Sequence, residues 1–173
     1  MNPRHDPSQE LIDILDDEGN VVGVATRSEI RRRRLPHRCT YILVFNPAGD
    51  LLIHQRTETK DVFPGYWDVT VGGVLAAGEL WDDGARREAI EEIGVEVDPE
   101  FLFDFRYRGD FGRVFAKVYK AMHAGPFQLQ VEEVAVASFV KRSTLPKLFV
   151  ERRFCPDGVA VWETFSGGAS NHT

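Results

Sequence analysis

The segment that most constrains this 173-residue chain is residues 73–95, GVLAAGELWDDGARREAIEEIGV. Its later part lacks proline and is rich in helix formers, so it predicts a helix over about 80–93, closed by Gly94. At about 100° per residue, with Glu88 set at 0°, Glu91 falls near −60° and Glu92 near +40°. Three carboxylates therefore share one stripe. Ala85, Ala89, Ile93 and Ile90 fall between about 60° and 200°, the side expected to pack on a sheet. Arg86 falls inside that arc and does not fit it. Gly84 lies on the acidic face, where it removes bulk at a helix cost of about 1 kcal/mol.

Carboxylates at i, i+3 and i+4 repel one another in a bare helix. A hard divalent cation such as Mg²⁺ or Mn²⁺ turns that liability into a site, because it favours oxygen ligands and keeps waters for substrate phosphates. Arg87 is placed to partner Glu79 or Glu91. The Gly72-Gly73 turn lets backbone carbonyls approach a metal without Cβ obstruction. A Glu-rich helix taken alone is usually just a solvated face, so the functional reading rests on the whole arrangement.

Around this segment the chain reads as short strands and helices. Strands are expected at 11–15 and 21–24 around a turn at 17–20, then a helix over 26–34 with Thr26 or Ser28 as N-cap and Pro36 enforcing its end. Further strands are expected at 41–45, 51–55, 67–71, 101–105, 114–122 and 134–140, and helices near 143–152 and 157–165. Helices and strands mix without regular βαβ alternation, which predicts an α/β sandwich around a mixed sheet. One domain over 10–165 is expected, with flexible tails at 1–9 and 166–173.

Lys and Arg total 21 and Asp and Glu 27, a formal net charge of −6. That balance disfavours broad nucleic-acid binding, which leans on cations facing phosphate. A phosphorylated ligand would need a few placed cations or a metal. Arg31–Arg34 is the only dense basic run, and it reads as a solvated helix face. No signal core and no run near the ~18 apolar residues of a membrane span is present. Cys39 and Cys155 are expected to be buried thiols rather than a bridge. A soluble, cytoplasmic protein is expected.

The arrangement resembles the Nudix box, G-x5-E-x7-R-E-U-x-E-E-x-G-U, through Gly73, Glu79, Arg87, Glu88, Glu91, Glu92, Gly94 and Val95. Ala89 stands at the first bulky aliphatic position, a mild departure. Residues about 35–140 look like the Nudix core. The stretch from Glu10 to about 165 is similar to the YfcD-like branch that neighbours isopentenyl-diphosphate isomerase, through His37-Arg38-Cys39-Thr40-Tyr41, the 56–61 segment RTETKD, Phe63-Pro64-Gly65 and Gly125-Pro126-Phe127. The resemblance implies an α/β/α sandwich, a divalent metal, and hydrolysis of a diphosphate linked to another group.

On that reading Glu88, Glu91 and Glu92, with Gly72 through its backbone, form the metal site. Gly73, Glu79, Arg87 and Gly94 support it. The general base is a further carboxylate, Glu91 or Glu133, with Glu132 beside it. Arg56 and Lys60 are candidate holders of phosphate oxygens, and the resemblance strengthens them because the isomerase branch uses matching positions. The partner is a small-molecule diphosphate, and monomer or homodimer is left open. His37, Trp67, Trp81 and Trp162 read as packing residues, while Phe63 and Tyr66 are weak candidates for a pocket mouth. Two alternatives are kept. One is an isomerase of the isopentenyl-diphosphate type, which needs a cysteine where this chain has Gly72 and a histidine where it has Val74. The other is a nucleotide-binding module without turnover.

Overall fold

A computed structural model describes residues 6–168 of the chain. A β-hairpin opens the fold, pairing β1 (Leu11–Leu15) with β2 (Val21–Thr26). The Asp16 carboxylate closes its turn by accepting the Asn20 amide at 2.8 Å. Helix α1 (Arg27–Arg33) starts directly from a capping box, in which Thr26 and Glu29 each accept from the other's backbone.

The remaining strands are β3 (His37–Phe45), β4 (Leu51–Arg56), β5 (Trp67–Asp68), β6 (Glu100–Gly109), β7 (Gly112–Met122) and β8 (Val134–Val140). They form one mixed sheet in the order β5-β4-β3-β7-β6, with β8 on β4. The helices are α2 (Trp81–Ile93), α3 (Leu145–Glu151) and α4 (Pro156–Gly168).

Strand β3 is buried on both faces, which is why its sequence is an almost unbroken apolar run. Ile42 and Val44 face Ala85, Ala89 and Ile93 of α2. Tyr41, Leu43 and Phe45 face the other way, toward Leu145, Val161 and Trp162 of α3 and α4. The expected α/β/α sandwich around a mixed sheet is therefore the fold.

Several element bounds differ from the sequence expectation. Strand β3 begins at His37 rather than 41, because all nine residues pair in parallel with β7, from His37↔Val114 to Phe45↔Met122. The strand expected over 67–71 pairs with β4 only at Trp67 and Asp68. The chain then leaves β4 and turns along β3, bridging Ile42↔Val71 and Cys39↔Val74. Residues 7–9, read as part of a flexible tail, form a single 3-10 turn, and 166–168 are the last turn of α4. The rest of the expected tails, 1–5 and 169–173, lies outside the described residues.

Candidate active site

The turn along β3 positions the centre of the site. Thr40 donates its amide to the Gly73 carbonyl at 2.9 Å, and Leu75 donates to Arg38 at 3.0 Å. Gly72 has φ +149°, and a Cβ there would collide with the Thr40 carbonyl. At Gly73 a Cβ would lie 2.7 Å from the carboxyl atoms of Glu88. The two glycines thus let this turn lie between β3 and the carboxylate face of α2.

Helix α2 buries a different arc from the expected one. Gly84, Glu88, Glu92, Ala85, Ala89 and Ile93 are its buried residues, whereas Ile90 is 49% exposed. On the helical wheel this arc spans about −40° to 140°, rotated toward the carboxylates. Arg86, at about 160°, then lies outside it and pairs with Asp83 and Asp98 at the surface. Gly84 is not on an open acidic face; a Cβ there would meet Leu75 and Glu79.

Glu88 and Glu92 are 7% and 4% exposed. Glu92 accepts the Gly72 amide at 3.2 Å. Burial is the first cause pushing both carboxyls up from their ordinary range, with the charge of Glu88 next for Glu92. Two acidic groups held side by side out of water are costly unless a cation compensates them.

Arg87 organises the rest. Its guanidinium donates to Glu79 (2.7 and 2.9 Å), to Glu88 (2.9 Å) and to Glu91 (2.9 Å), so it serves both partners that the sequence left as alternatives. Glu79 in turn accepts the Ala76 amide at 2.9 Å. Glu91 is held at the rim with its side chain 53% exposed. Gly94 ends α2 with φ +68°, where a Cβ would strike Gln128.

One cleft of about 530 Å³ brings together Glu88, Glu91, Glu92, Gly72, Gly73 and Arg87, and also Arg56, Lys60 and Glu133. Glu79 and Gly94 act from outside it. Lys60 is ion-paired with Glu133, so the candidate clamp and the candidate base hold each other. Glu132 is exposed, and its carbonyl accepts from Thr57. Among the described residues no three His, Cys, Asp or Glu side chains form a ready-made metal cluster. The donor set is two buried carboxylates beside the Gly72 carbonyl region, with Glu91 drawn aside by Arg87. Such a set suits a cation that takes one or two carboxylates and keeps its waters.

Sequence reasoning missed two groups. Arg31, read as part of a solvated run, turns inward with its side chain 24% exposed, whereas Arg32 is 73% exposed. Its i, i+4 spacing from Arg27, which also lines the cleft, was the available signal. Asp157, at the start of α4, accepts from Tyr41 Oη at 2.7 Å and leaves its other oxygen buried without a protein donor. Asp157 lines a smaller inner cavity of about 90 Å³ with Asp68, Phe63 and Phe111. His37 lines it too, with its imidazole pushed down to about 4, first by burial. Tyr66 contacts Phe63 but is not among the lining residues of either cavity.

The isomerase alternative fails on chemistry. Gly72 has no room for a thiol, and burial pushes Cys39 and Cys155 far up from an ordinary thiol value.

Comparison with known proteins agrees with this fold and with the motif of α2. Residues 35–155 match the family model of the NUDIX domain. An uncharacterised Nudix hydrolase of Streptomyces coelicolor is 42% identical, covering 90% of this chain and 87% of the relative. The Nudix hydrolase YfcD of Escherichia coli is 36% identical, covering 94% and 91%. Among solved structures, a Deinococcus radiodurans protein, DR0079, superposes with a TM-score of 0.74 at 25% identity, over 86% of this chain and 94% of that one. The NUDIX domain of Shewanella oneidensis NrtR, solved with ADP ribose, shares the fold with a TM-score of 0.61 at 17% identity, over 76% and 87%.

Proposed function

We propose, from the premise that this chain belongs to the Nudix hydrolase family, that it cleaves a diphosphate linked to another small moiety with the help of Mg²⁺ or Mn²⁺. Members of this family hydrolyse pyrophosphate bonds. The observation that carries the reading for this chain is the pair of buried carboxylates, Glu88 and Glu92, facing the Gly72-Gly73 turn inside a cleft that also holds cations.

Glu88 and Glu92 would hold the metal, with Glu91 and the Gly72 carbonyl as the further oxygens at hand. When bound, such an ion neutralises phosphate charge and makes water a better nucleophile. The chain supplies the remainder. Arg87 orients Glu88 and Glu91. Arg56 and Lys60 face the substrate phosphates, and binding there would draw Lys60 from Glu133. Water adds to phosphorus, the phosphoanhydride P–O bond breaks, and the proton passes to a rim carboxylate. Glu91 and Glu133 both line the cleft for that task. We place the protein in the cytoplasm, a reading supported by two free, buried thiols. Among the described residues no helix is long and apolar enough to cross a membrane.

The test is phosphate or nucleotide release from a panel of nucleoside diphosphates, dinucleotides, nucleotide sugars, coenzyme A and prenyl diphosphates, with and without Mg²⁺ and EDTA. Metal-dependent turnover lost in Glu92→Gln is expected. Full turnover by Glu92→Gln would overturn the metal assignment. Metal-dependent binding of a panel member without turnover would favour the non-catalytic module.

A further inference from the structure

The cations of the cleft differ in how they are compensated. Arg27 is ion-paired with Glu10, Lys60 with Glu133, and Arg87 with three glutamates. Arg31 has only a loose ion pair, with the exposed Asp61, and Arg56 has none among the described residues. Arg31 Nε is buried and has no hydrogen-bond partner in the protein; its one carboxylate neighbour, Asp61, lies 3.5 Å away and is 63% exposed. Arg56 donates only to the backbone carbonyl of Val62, at 3.1 Å. The remaining nitrogens of both guanidinium groups meet no protein acceptor among the described residues.

Both side chains line the cleft and the inner cavity alike, together with Gly72, Gly73 and Val74. They therefore stand at the neck where one space meets the other. Burial, and to a lesser degree the charges of Arg27 and Arg56, push the Arg31 guanidinium down from its ordinary value against the pull of Asp61, whereas Asp68, Glu92 and Asp157 help hold Arg56 above its own. Two like charges withdrawn from water beside each other are unfavourable alone and favourable around a shared anion. Guanidinium forks match the oxygens of a phosphoryl group, two donors to two acceptors.

We propose that Arg31 and Arg56 form a two-guanidinium clamp for one phosphoryl group of the substrate, at the neck between the carboxylate cleft and the inner cavity. The proposal deepens the hydrolase reading and rests on it for the identity of the anion as a diphosphate. It assigns Lys60 a secondary part, because Glu133 already occupies its ammonium.

The test uses methylenediphosphonate, a diphosphate mimic without the scissile oxygen, titrated calorimetrically into the full chain in Mg²⁺ buffer. Arg31→Gln is expected to weaken binding at least tenfold, Arg31→Lys to recover part of the loss, and Arg32→Gln to stay within twofold of wild type. With a turned-over substrate, Arg31→Gln should raise KM and leave kcat within about threefold. Should Arg31→Gln fail to fold, Asp61→Asn replaces it: removing the carboxylate that faces Arg31 should tighten binding at least twofold. Wild-type affinity in Arg31→Gln, an equal loss in Arg32→Gln, unchanged or weaker binding in Asp61→Asn, or no binding to wild type would each overturn the clamp. Failure of the hydrolase reading looks different: binding depends on Arg31, yet no diphosphate is turned over with any metal.

Discussion

Replacing Gly73 by alanine separates the geometry of the site from the stability of the fold. Gly73 does not have a positive φ, so an alanine adopts its backbone without strain. The added Cβ would sit 2.7 Å from Glu88 Cδ, Oε1 and Oε2, whereas ordinary contact begins at 3.4 Å. The carboxylate must therefore withdraw by about 0.7 Å, the difference of those two distances. It is the far end of a flexible side chain, so the movement is cheap for folding, about 1 kcal/mol or less. For a metal ligand it is expensive, because displacing the groups that set a ligand shell costs roughly 10–100-fold in affinity. Calorimetric titration of Mn²⁺ reads the second effect and urea unfolding the first. Gly73→Ala should bind Mn²⁺ at least tenfold more weakly while losing no more than about 1 kcal/mol of stability. Wild-type Mn²⁺ affinity in a folded Gly73→Ala protein would refute the placement of Glu88 at the metal.

Gly72→Ala should instead cost more than about 3 kcal/mol in urea unfolding, because the clash is with the Thr40 backbone and φ is +149°. Arg87→Met leaves Glu79, Glu88 and Glu91 without their shared donor; with Arg87 28% exposed, a loss of about 1–3 kcal/mol is expected, and a melting curve identical to wild type would sink this account of the network. Burial pushes His54 down to about 3 from 6.5, so below pH 6.5 the unfolded chain takes up a proton that the folded chain refuses. His54→Leu should therefore gain on wild type by about 1.4 kcal/mol per pH unit from pH 6.5 toward 4.5, and a pH-independent difference between the two unfolding free energies would contradict it.

Much of this was legible in the chain because local chemistry and tertiary context agree. The start of α1 at Thr26 or Ser28, its end before Pro36 and the apolar runs at 41–45 and 51–55 mark themselves by residue type. The carboxylate stripe of α2 was visible from spacing, but its rotation was not. Periodicity ranks Ile90 with the core, whereas the Gly72-Gly73 turn claims the Glu88–Glu92 side and leaves Ile90 in water. The short β5 was hidden for a related reason: 69–74 is as apolar as a strand but serves β3 rather than β4. Arg31 could not be told from Arg32 without knowing which side of α1 meets the cleft. Asp157 lies far in sequence from every motif, and only the packing of α4 on the sheet brings it beside Tyr41.

The parallel pairing of β3 with β7 bears on how the molecule assembles itself. A parallel pair cannot be closed by a hairpin. Here the intervening chain carries β4, β5, the glycine turn, α2 and β6. Closing so long a loop pays its entropy before any pairing repays it, which puts such a topology among the slower folders. The glycine turn is bridged to β3, and α2 packs on Ile42 and Val44, so the carboxylates are tied to the central strand of that topology. A divalent ion that binds only the folded form adds RT ln(1 + [M]/Kd) to global stability rather than to a local flap. Amide exchange in the middle of β3 and β7 should slow when Mn²⁺ is added, although neither strand would touch the ion.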